Sequence, residues 1–422
     1  VLYFDPVKIT RFGERFSGST GIVDLMEDLG AAGANPGSCM LGGGNPGTLP
    51  EVESHFRKRL HEIADDPVLF HSIAGCYDSP EGDVGFRSAL AQLLSREFGW
   101  KVGPENIVLT HGSQTGFFIL FNLLAGRLGD NSLRSILLPL APEYIGYSDI
   151  GLESSIFKAE QPHIEYLDEG FFKYRVDFKR LKVTPETAAI CVSRPTNPTG
   201  NVLSDSEIQQ LSELAALNNI PLIIDSAYGT PFPNIIFSEA SPLWNEQTIV
   251  FMSLSKLGLP GVRTGIMITN QEMVVRLGRA NAIMHLANGS FGPGIIHPLV
   301  KSGEIVKISQ ELIRPYYQQR VKQAIQWVKS AFGKTPCLIH KPEGAIFLWL
   351  WFPDLPITSQ ELYQRLKTRG VLVIAGEHFF PGIDQPWRHR HECIRVTYSQ
   401  DEVSVQKGIT IIADEVRKAY SG

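Results

Sequence analysis

One lysine stands where its chemistry would matter. The run Ser253-Leu254-Ser255-Lys256-Leu257-Gly258-Leu259-Pro260-Gly261-Val262-Arg263 follows an apolar segment, Thr248 to Met252, and the arginine comes seven positions after the lysine. Lysines ordinarily sit on the surface, but this one falls between small hydroxyl residues and a Gly/Pro-rich turn at the end of a predicted strand. An amine there could form a Schiff base with an aldehyde cofactor. Ser253, Ser255 and Arg263 could hold that cofactor's phosphate, because a guanidinium fork donates two bonds in parallel. The combination points to pyridoxal 5′-phosphate chemistry. Such chemistry also needs an acid facing the pyridine nitrogen and donors for the ring oxygen and the phosphate.

The chain supplies candidates for each part. Asp225 ends the apolar run Pro221 to Asp225, and a carboxylate beside the pyridine nitrogen keeps that nitrogen protonated. Tyr228, three residues on, and Asn197, in Ser193-Arg194-Pro195-Thr196-Asn197-Pro198-Thr199-Gly200, could donate to the ring oxygen. Gly112-Ser113-Gln114 lies between a predicted strand and a predicted helix, where free backbone N–H groups make an anion site. Tyr144 and Tyr147 both follow another strand, and either could stack on the ring or pack in the core. Arg395 lies inside the strand-like run Cys393 to Tyr398, and a charge there needs a partner: a substrate carboxylate or an internal acid. Taken singly, each has an ordinary structural reading: an exposed lysine, a capping aspartate, an Asn-Pro turn, an N-cap.

These residues need a scaffold that brings strand ends together. Short apolar runs are predicted as strands at Ile107 to Thr110, Ser135 to Leu140, Thr187 to Ser193, Pro221 to Asp225, Thr248 to Ser253 and Thr264 to Thr269. Helical patterns alternate with them, Ser113 to Leu124 and Ser204 to Leu217, the second opening on the capping signal Ser204-Asp205-Ser206-Glu207. The alternation predicts an α/β fold with a mostly parallel sheet covered on both faces. His111, Asn197, Asp225 and Lys256 all fall at or just past strand C-termini, the edge where open α/β sheets bind ligands. Beyond about Asn270 the pattern changes. A long helix is expected from Ile305 to Phe332, then strands at Ala345 to Trp351, Val371 to Ile374 and Cys393 to Tyr398, with helices at Ser359 to Arg369 and Ser404 to Tyr420. That suggests a smaller α+β domain. The expected division is a large domain at 51–300 and a small one from 1–50 with 301–422.

Composition narrows the class. A chain of 422 residues with 43% hydrophobic and 20% charged residues is expected to be soluble and to form more than one domain. A net charge of −5 argues against a nucleic-acid partner but leaves room for a local anion site. The five cysteines, Cys39, Cys76, Cys191, Cys337 and Cys393, are scattered without a C-x-x-C pair, so neither a disulfide framework nor a metal site is expected. The first residues carry Asp5, Lys8 and Arg11 and no apolar core of a leader, and no apolar run is long enough to span a membrane. A cytoplasmic protein is expected.

The constellation resembles the class I aminotransferases of pyridoxal-phosphate fold type I, from about Phe12 to the C-terminus. The stretches that carry the resemblance are Leu41-Gly42-Gly43-Gly44-Asn45-Pro46, Leu140 to Tyr147, Ser193 to Val202, Met252 to Gly261 and His340 to Phe352. It implies that Lys256 links the cofactor and shuttles the proton, Asp225 faces the pyridine nitrogen, and Asn197 and Tyr228 contact the ring oxygen. It implies Tyr144 as the stacking residue and Ser113, Ser253 and Arg263 around the phosphate, next to the Gly112, Gln114 and Ser255 already singled out, although Gln114 stands where a hydroxyl residue is usual. Arg395, Asn197 and the Gly43 and Gly44 backbone would bind the substrate carboxylate. Tyr77 matches a tyrosine that reaches the phosphate of a neighbouring subunit, implying a homodimer with shared sites. The implied reaction moves an amino group between valine- or alanine-type amino acids and 2-oxo acids such as pyruvate. Alternatives on the same scaffold are a broad-specificity aminotransferase, a lyase, or a non-catalytic cofactor-binding regulator. The last usually carries a basic DNA-binding helix, and the Gly/Pro-rich first fifty residues offer none.

Overall fold

Two mixed sheets carry most of the residues of interest. The computed structural model describes residues 8–18 and 37–422, with residues 21, 23, 26, 27 and 30 between them. Asp5 and much of the 1–50 stretch lie outside the described residues. The larger sheet runs, in spatial order, Ile107–Thr110, Gly265–Ile268, Thr248–Ser253, Leu222–Asp225, Thr187–Ser193, Leu133–Leu138 and Gly126–Arg127, and Phe157–Ala159 also pairs with Leu133–Leu138. The four pairings from Thr248–Ser253 to Phe157–Ala159 are parallel, while Gly265–Ile268 is antiparallel to both its neighbours. The inner strands are buried at every position rather than alternately, as expected where helices cover both faces. This is the mostly parallel α/β sheet that the alternation of strands and helices predicts.

Register carries the functional consequence. Asp225 stands opposite Ser193 on one side and Phe251 on the other, and Ser253 stands opposite Gly265, which itself pairs with Thr110. The ends of four strands therefore lie along one edge, and the loops that leave them converge.

The second sheet runs Ile374–Ala375, Cys393–Thr397, Phe347–Trp351, Leu338–His340, Phe171–Arg175 and His163–Tyr166. Arg395 sits within it, opposite Trp349 and Ile374. The strands at 163–166 and 171–175, and the helices Pro50–Asp65, Pro67–Ala74 and Val84–Phe98, are not among the elements expected from the sequence. Cys39–Met40 pairs in parallel with Val371–Leu372, joining an N-terminal segment to the C-terminal region.

Three expected boundaries shift for physical reasons. The Ser135-to-Leu140 strand instead spans Leu133–Leu138, because Pro139 has no N–H to continue a ladder. The single strand expected from Val371 to Ile374 divides: Val371–Leu372 joins Cys39–Met40, and Ile374–Ala375 joins Cys393–Thr397. The long 305–332 helix contains a π turn at Ser309–Ile313, just before Pro315, whose ring removes a helical donor.

Candidate active site

The strand ends enclose a cleft lined by Ser113, Gln114, Tyr144, Asn197, Asp225, Tyr228, Ser253, Ser255, Lys256 and Arg263, with Ser193 also facing it. Lys256 lies in a single 3-10 turn, Ser255–Leu257, that leaves the Thr248–Ser253 strand. Gly258 closes that turn at φ 113°, a left-handed conformation suited to glycine. The lysine amine donates to the Gly44 carbonyl at 2.6 Å and stands 5.4 Å from the Tyr228 ring centre. The residue keeps access to the cleft, yet protein surrounds its amine. Burial brings its pKa down to about 8, with the charges of Arg395 and Arg263 adding to the fall and Asp225 opposing it.

Asp225 accepts from the Tyr147 hydroxyl at 2.8 Å and from the Ala227 N–H at 3.0 Å. Burial still raises its pKa above the ordinary carboxylate value, because those bonds and Lys256 only partly compensate for lost water. Tyr228 is buried, and its hydroxyl has no hydrogen-bond partner within the protein. Asn197 accepts at Oδ1 from Arg395 Nη1 at 2.7 Å, and Arg395 Nη2 donates to the Gly42 carbonyl at 2.6 Å. The Arg395 guanidinium is stacked 4.0 Å from the Phe347 ring centre, with Phe379 at 5.2 Å, and its Nε is unpartnered. No carboxylate forms an ion pair with it among the described residues, so the internal salt bridge weighed from the sequence is absent there. Burial lowers its pKa to about 10.

At the far end, Gly112 precedes the Ser113–Leu124 helix with φ 82°, and a Cβ placed on it would lie 2.2 Å from Arg263 Nη2. That close approach brings the guanidinium over the helix N-terminus, where two sources of positive potential combine. Ser253 Oγ accepts from the Ser255 N–H at 3.2 Å. Gln114 donates through Nε2 to the Gly146 carbonyl at 3.0 Å and leaves Oε1, an acceptor, without a partner.

The structure does not bring every candidate here. Tyr77 is 84% exposed. His111 is also exposed, its ring lying 5.5 Å from that of His285 rather than in the cleft. Gly43 is buried, but the carbonyls that meet Arg395 and Lys256 belong to Gly42 and Gly44. Ser193, Gly42 and Phe347 carry no role in the sequence reading, and Tyr147, weighed there with Tyr144 as a stacking or core residue, instead donates to Asp225. The only advance signal for Tyr147 was its place beside Tyr144 in one post-strand loop, and the two rings meet edge to face at 5.4 Å.

Known proteins share this arrangement of chain. The family model described as aminotransferase class I and II matches residues 60–412. Valine–pyruvate aminotransferase of Escherichia coli strain K12 is 48% identical over 410 residues, covering 97% of this chain and 98% of that protein. The crystal structure of valine-pyruvate aminotransferase from Salmonella typhimurium LT2 superposes with a TM-score of 0.88 at 49% identity, covering 95% of this chain and all of that one. A protein of Psychrobacter arcticum 273-4 superposes with a TM-score of 0.96 at 45% identity, covering 99% of this chain. The chain belongs to the class I and II aminotransferases.

Proposed function

We propose that this aminotransferase exchanges the amino group between valine- or alanine-type apolar amino acids and 2-oxo acids such as pyruvate, using pyridoxal 5′-phosphate held in the cleft. The observation that carries the reading is a buried amine, Lys256, set between an acid, Asp225, and a buried arginine that has no acidic ion-pair partner among the described residues, Arg395. The choice of valine and pyruvate leans on the Escherichia coli relative. The residues present fit the cofactor. The unpartnered Tyr228 hydroxyl and the Asn197 amide offer donors for a ring oxygen, and Asp225 offers an acceptor for a protonated ring nitrogen. Gly112, Ser113, Ser253, Ser255 and Arg263 offer an anion cradle, and Tyr144 a flat ring.

Bound there, the cofactor supplies an aldehyde that links to amines and a ring that takes up the electrons released at the substrate Cα. Lys256, once free, takes the Cα proton and returns it on the other side of the transfer as general base and acid, and a pKa near 8 suits both roles at neutral pH. Asp225 keeps its negative charge toward the ring nitrogen. Arg395, aligned by Asn197 and the Gly42 carbonyl, takes the substrate carboxylate in two parallel bonds, with the Gly43 and Gly44 backbone alongside. Phe347 beneath the guanidinium excludes water from that contact.

The same reading gives a homodimer. Tyr77, Val68, Phe70, Val84, Ile283, Met284, Leu286 and Phe291 are exposed apolar or aromatic residues of neighbouring segments, tied together by Ser290 on Asp78 and by Asn281 and Asn288 on the Pro80 carbonyl. Such a patch suits burial against a second copy, which would deliver Tyr77 to the partner's phosphate. It also divides the chain into a cofactor-binding part at 51–300 and a smaller part made from 1–50 and 301–422; the Cys39–Met40 pairing favours that division, while the strands at 163–166 and 171–175 join the sheet of the smaller part. All five cysteines are free, in keeping with a reducing cytoplasm, and no helix among the described residues is long and apolar enough to cross a membrane.

An amino-donor by oxo-acceptor matrix on the cofactor-loaded protein tests the substrates. L-valine or L-alanine with pyruvate should give the highest rates, and strong preference for 2-oxoglutarate would count against the assignment. Release of ammonia or carbon dioxide as the main product would favour a lyase. A Lys256→Ala variant that still turned over would refute the proton shuttle.

A further inference from the structure

Glu143 is a carboxyl group beside the cleft that the reading above leaves without a role. It is 1% exposed, and no basic side chain forms an ion pair with it among the described residues. Its Oε1 accepts from the Ser193 N–H at 2.8 Å, its Oε2 meets the Ser193 hydroxyl in a short contact, and its own N–H donates to the Phe379 carbonyl at 2.8 Å. Tyr147 donates to Asp225 Oδ2 at 2.8 Å, and Ser193 acts to lower the pKa of that phenol. Ser193 and Asp225 are register partners on adjacent parallel strands. Two buried carboxyl groups thus each accept from one of two hydroxyls, on Ser193 and on Tyr147, at the same strand ends.

We propose that Glu143 is a positioning residue that works as a neutral carboxylic acid, acting through Ser193 and Tyr147 so that the pair's single negative charge stays on Asp225. With its proton in place, Glu143 donates to Ser193 Oγ, the Ser193 O–H turns to Tyr147 Oη, and the Tyr147 O–H points at Asp225. Without it, Ser193 must turn back to Glu143, and two anions face each other without water. Hydrogen bonds from Ser193 offset only part of the cost of burying a carboxylate that has no cation, and a proton removes the rest. Burial first, then the Asp225 charge, raises the Glu143 pKa to about 8 against the Ser193 bonds. The other titratable groups facing it are Tyr147 and Cys191, both held well above their ordinary values chiefly by burial, so they stay neutral while Glu143 titrates. The inference rests on the proposed role of Asp225 only for its catalytic meaning.

The test uses apoprotein, so it can fail independently of the cofactor assignment. Wild type and Glu143→Gln are unfolded in urea across the range from about pH 5 to about 9.5, and the ratio of their unfolding constants is followed. The native state then holds one proton that the unfolded chain has lost, so the ratio of wild type to variant should rise about tenfold per pH unit up to about pH 8 and then level. A ratio independent of pH overturns the neutral-acid claim. Repeating the comparison with Asp225→Asn in both proteins should make the ratio level at lower pH, because the charge that favours the Glu143 proton is gone. Levelling at an unchanged pH overturns the claim that Glu143 acts on Asp225. If Asp225→Asn does not fold, Tyr147→Phe replaces it with the same two outcomes, since it cuts the hydroxyl link.

Discussion

The protonation state of Lys256 sets how fast the cleft can capture an aldehyde. An ammonium has no lone pair, so only the free amine attacks a carbonyl. Burial, with the charges of Arg395 and Arg263, holds this amine at a pKa of about 8. A lysine at its ordinary value leaves about 0.03% of the amine free at pH 7, whereas one near 8 leaves about 9%, a gain of roughly 300-fold. The rate constant for capture of pyridoxal 5′-phosphate by apoprotein, followed by stopped-flow absorbance, should therefore rise with pH and level above about pH 8. Arg395→Gln should move the inflection to higher pH by removing a cation that opposed the ammonium, and Asp225→Asn should move it lower by removing an anion that favoured it. A capture rate still climbing tenfold per unit at about pH 9.5 would put the amine near its ordinary value and refute the argument from burial. The linkage has a matching sign. Between about pH 8 and the ordinary lysine value the unfolded chain binds a proton the folded chain lacks, so the stability lost to this group at neutral pH is regained as pH rises through that window.

Other perturbations separate binding from folding. Arg395→Lys replaces a planar fork with a point charge and loses at least one charge-assisted bond worth about 1.5–3 kcal/mol, so kcat/KM for L-valine should fall about 10- to 150-fold; a change under about twofold would count against carboxylate binding there. Tyr228→Phe removes a buried hydroxyl that has no protein partner. Urea melts should show apoprotein as stable as wild type or more so, while cofactor titration shows weaker affinity by about 2- to 10-fold; a destabilised apoprotein with unchanged cofactor affinity would make the hydroxyl structural instead. Gly344→Ala would set a Cβ 2.5 Å from Pro195 Cγ and 2.6 Å from the Ile235 carbonyl. Backbone must move, so a loss of about 1–3 kcal/mol in urea unfolding is expected, together with weaker substrate binding as the Asn197 loop shifts; unchanged stability would show that the contact relaxes freely.

Much of the scaffold was legible because its signals are local. The parallel strands at 187–193, 222–225 and 248–253 are continuous β-branched and apolar runs, and the Asp205–Leu217 helix begins at the reciprocal Ser204–Glu207 cap that the sequence spells out. The strand at 39–40 is two residues long, too short for any periodicity, and nothing local marked it as the partner of Val371–Leu372, the first part of a strand the sequence did show. The strands at 163–166 and 171–175 belong to a sheet whose remaining strands lie more than 160 residues further on, and nothing in their own composition announces that partner.

The sequence by itself determined that a lysine, an aspartate, an asparagine and a glycine-led helix start would share one edge of an α/β sheet, because strand direction and loop position follow from short-range pattern. It did not determine which groups touch. Lys256 meets the Gly44 carbonyl across 212 residues, and Arg395 meets Asn197 across 198. The choice of Tyr147 rather than Tyr144 as the donor to Asp225 depends on how one loop folds over its neighbouring strand. Nothing local in the sequence set Glu143 apart, and its burial beside Ser193 comes from packing alone. Contacts of this kind are decided by the docking of one sheet against another and by what burial leaves unsolvated, which are properties of the assembled tertiary structure and not of any window of chain.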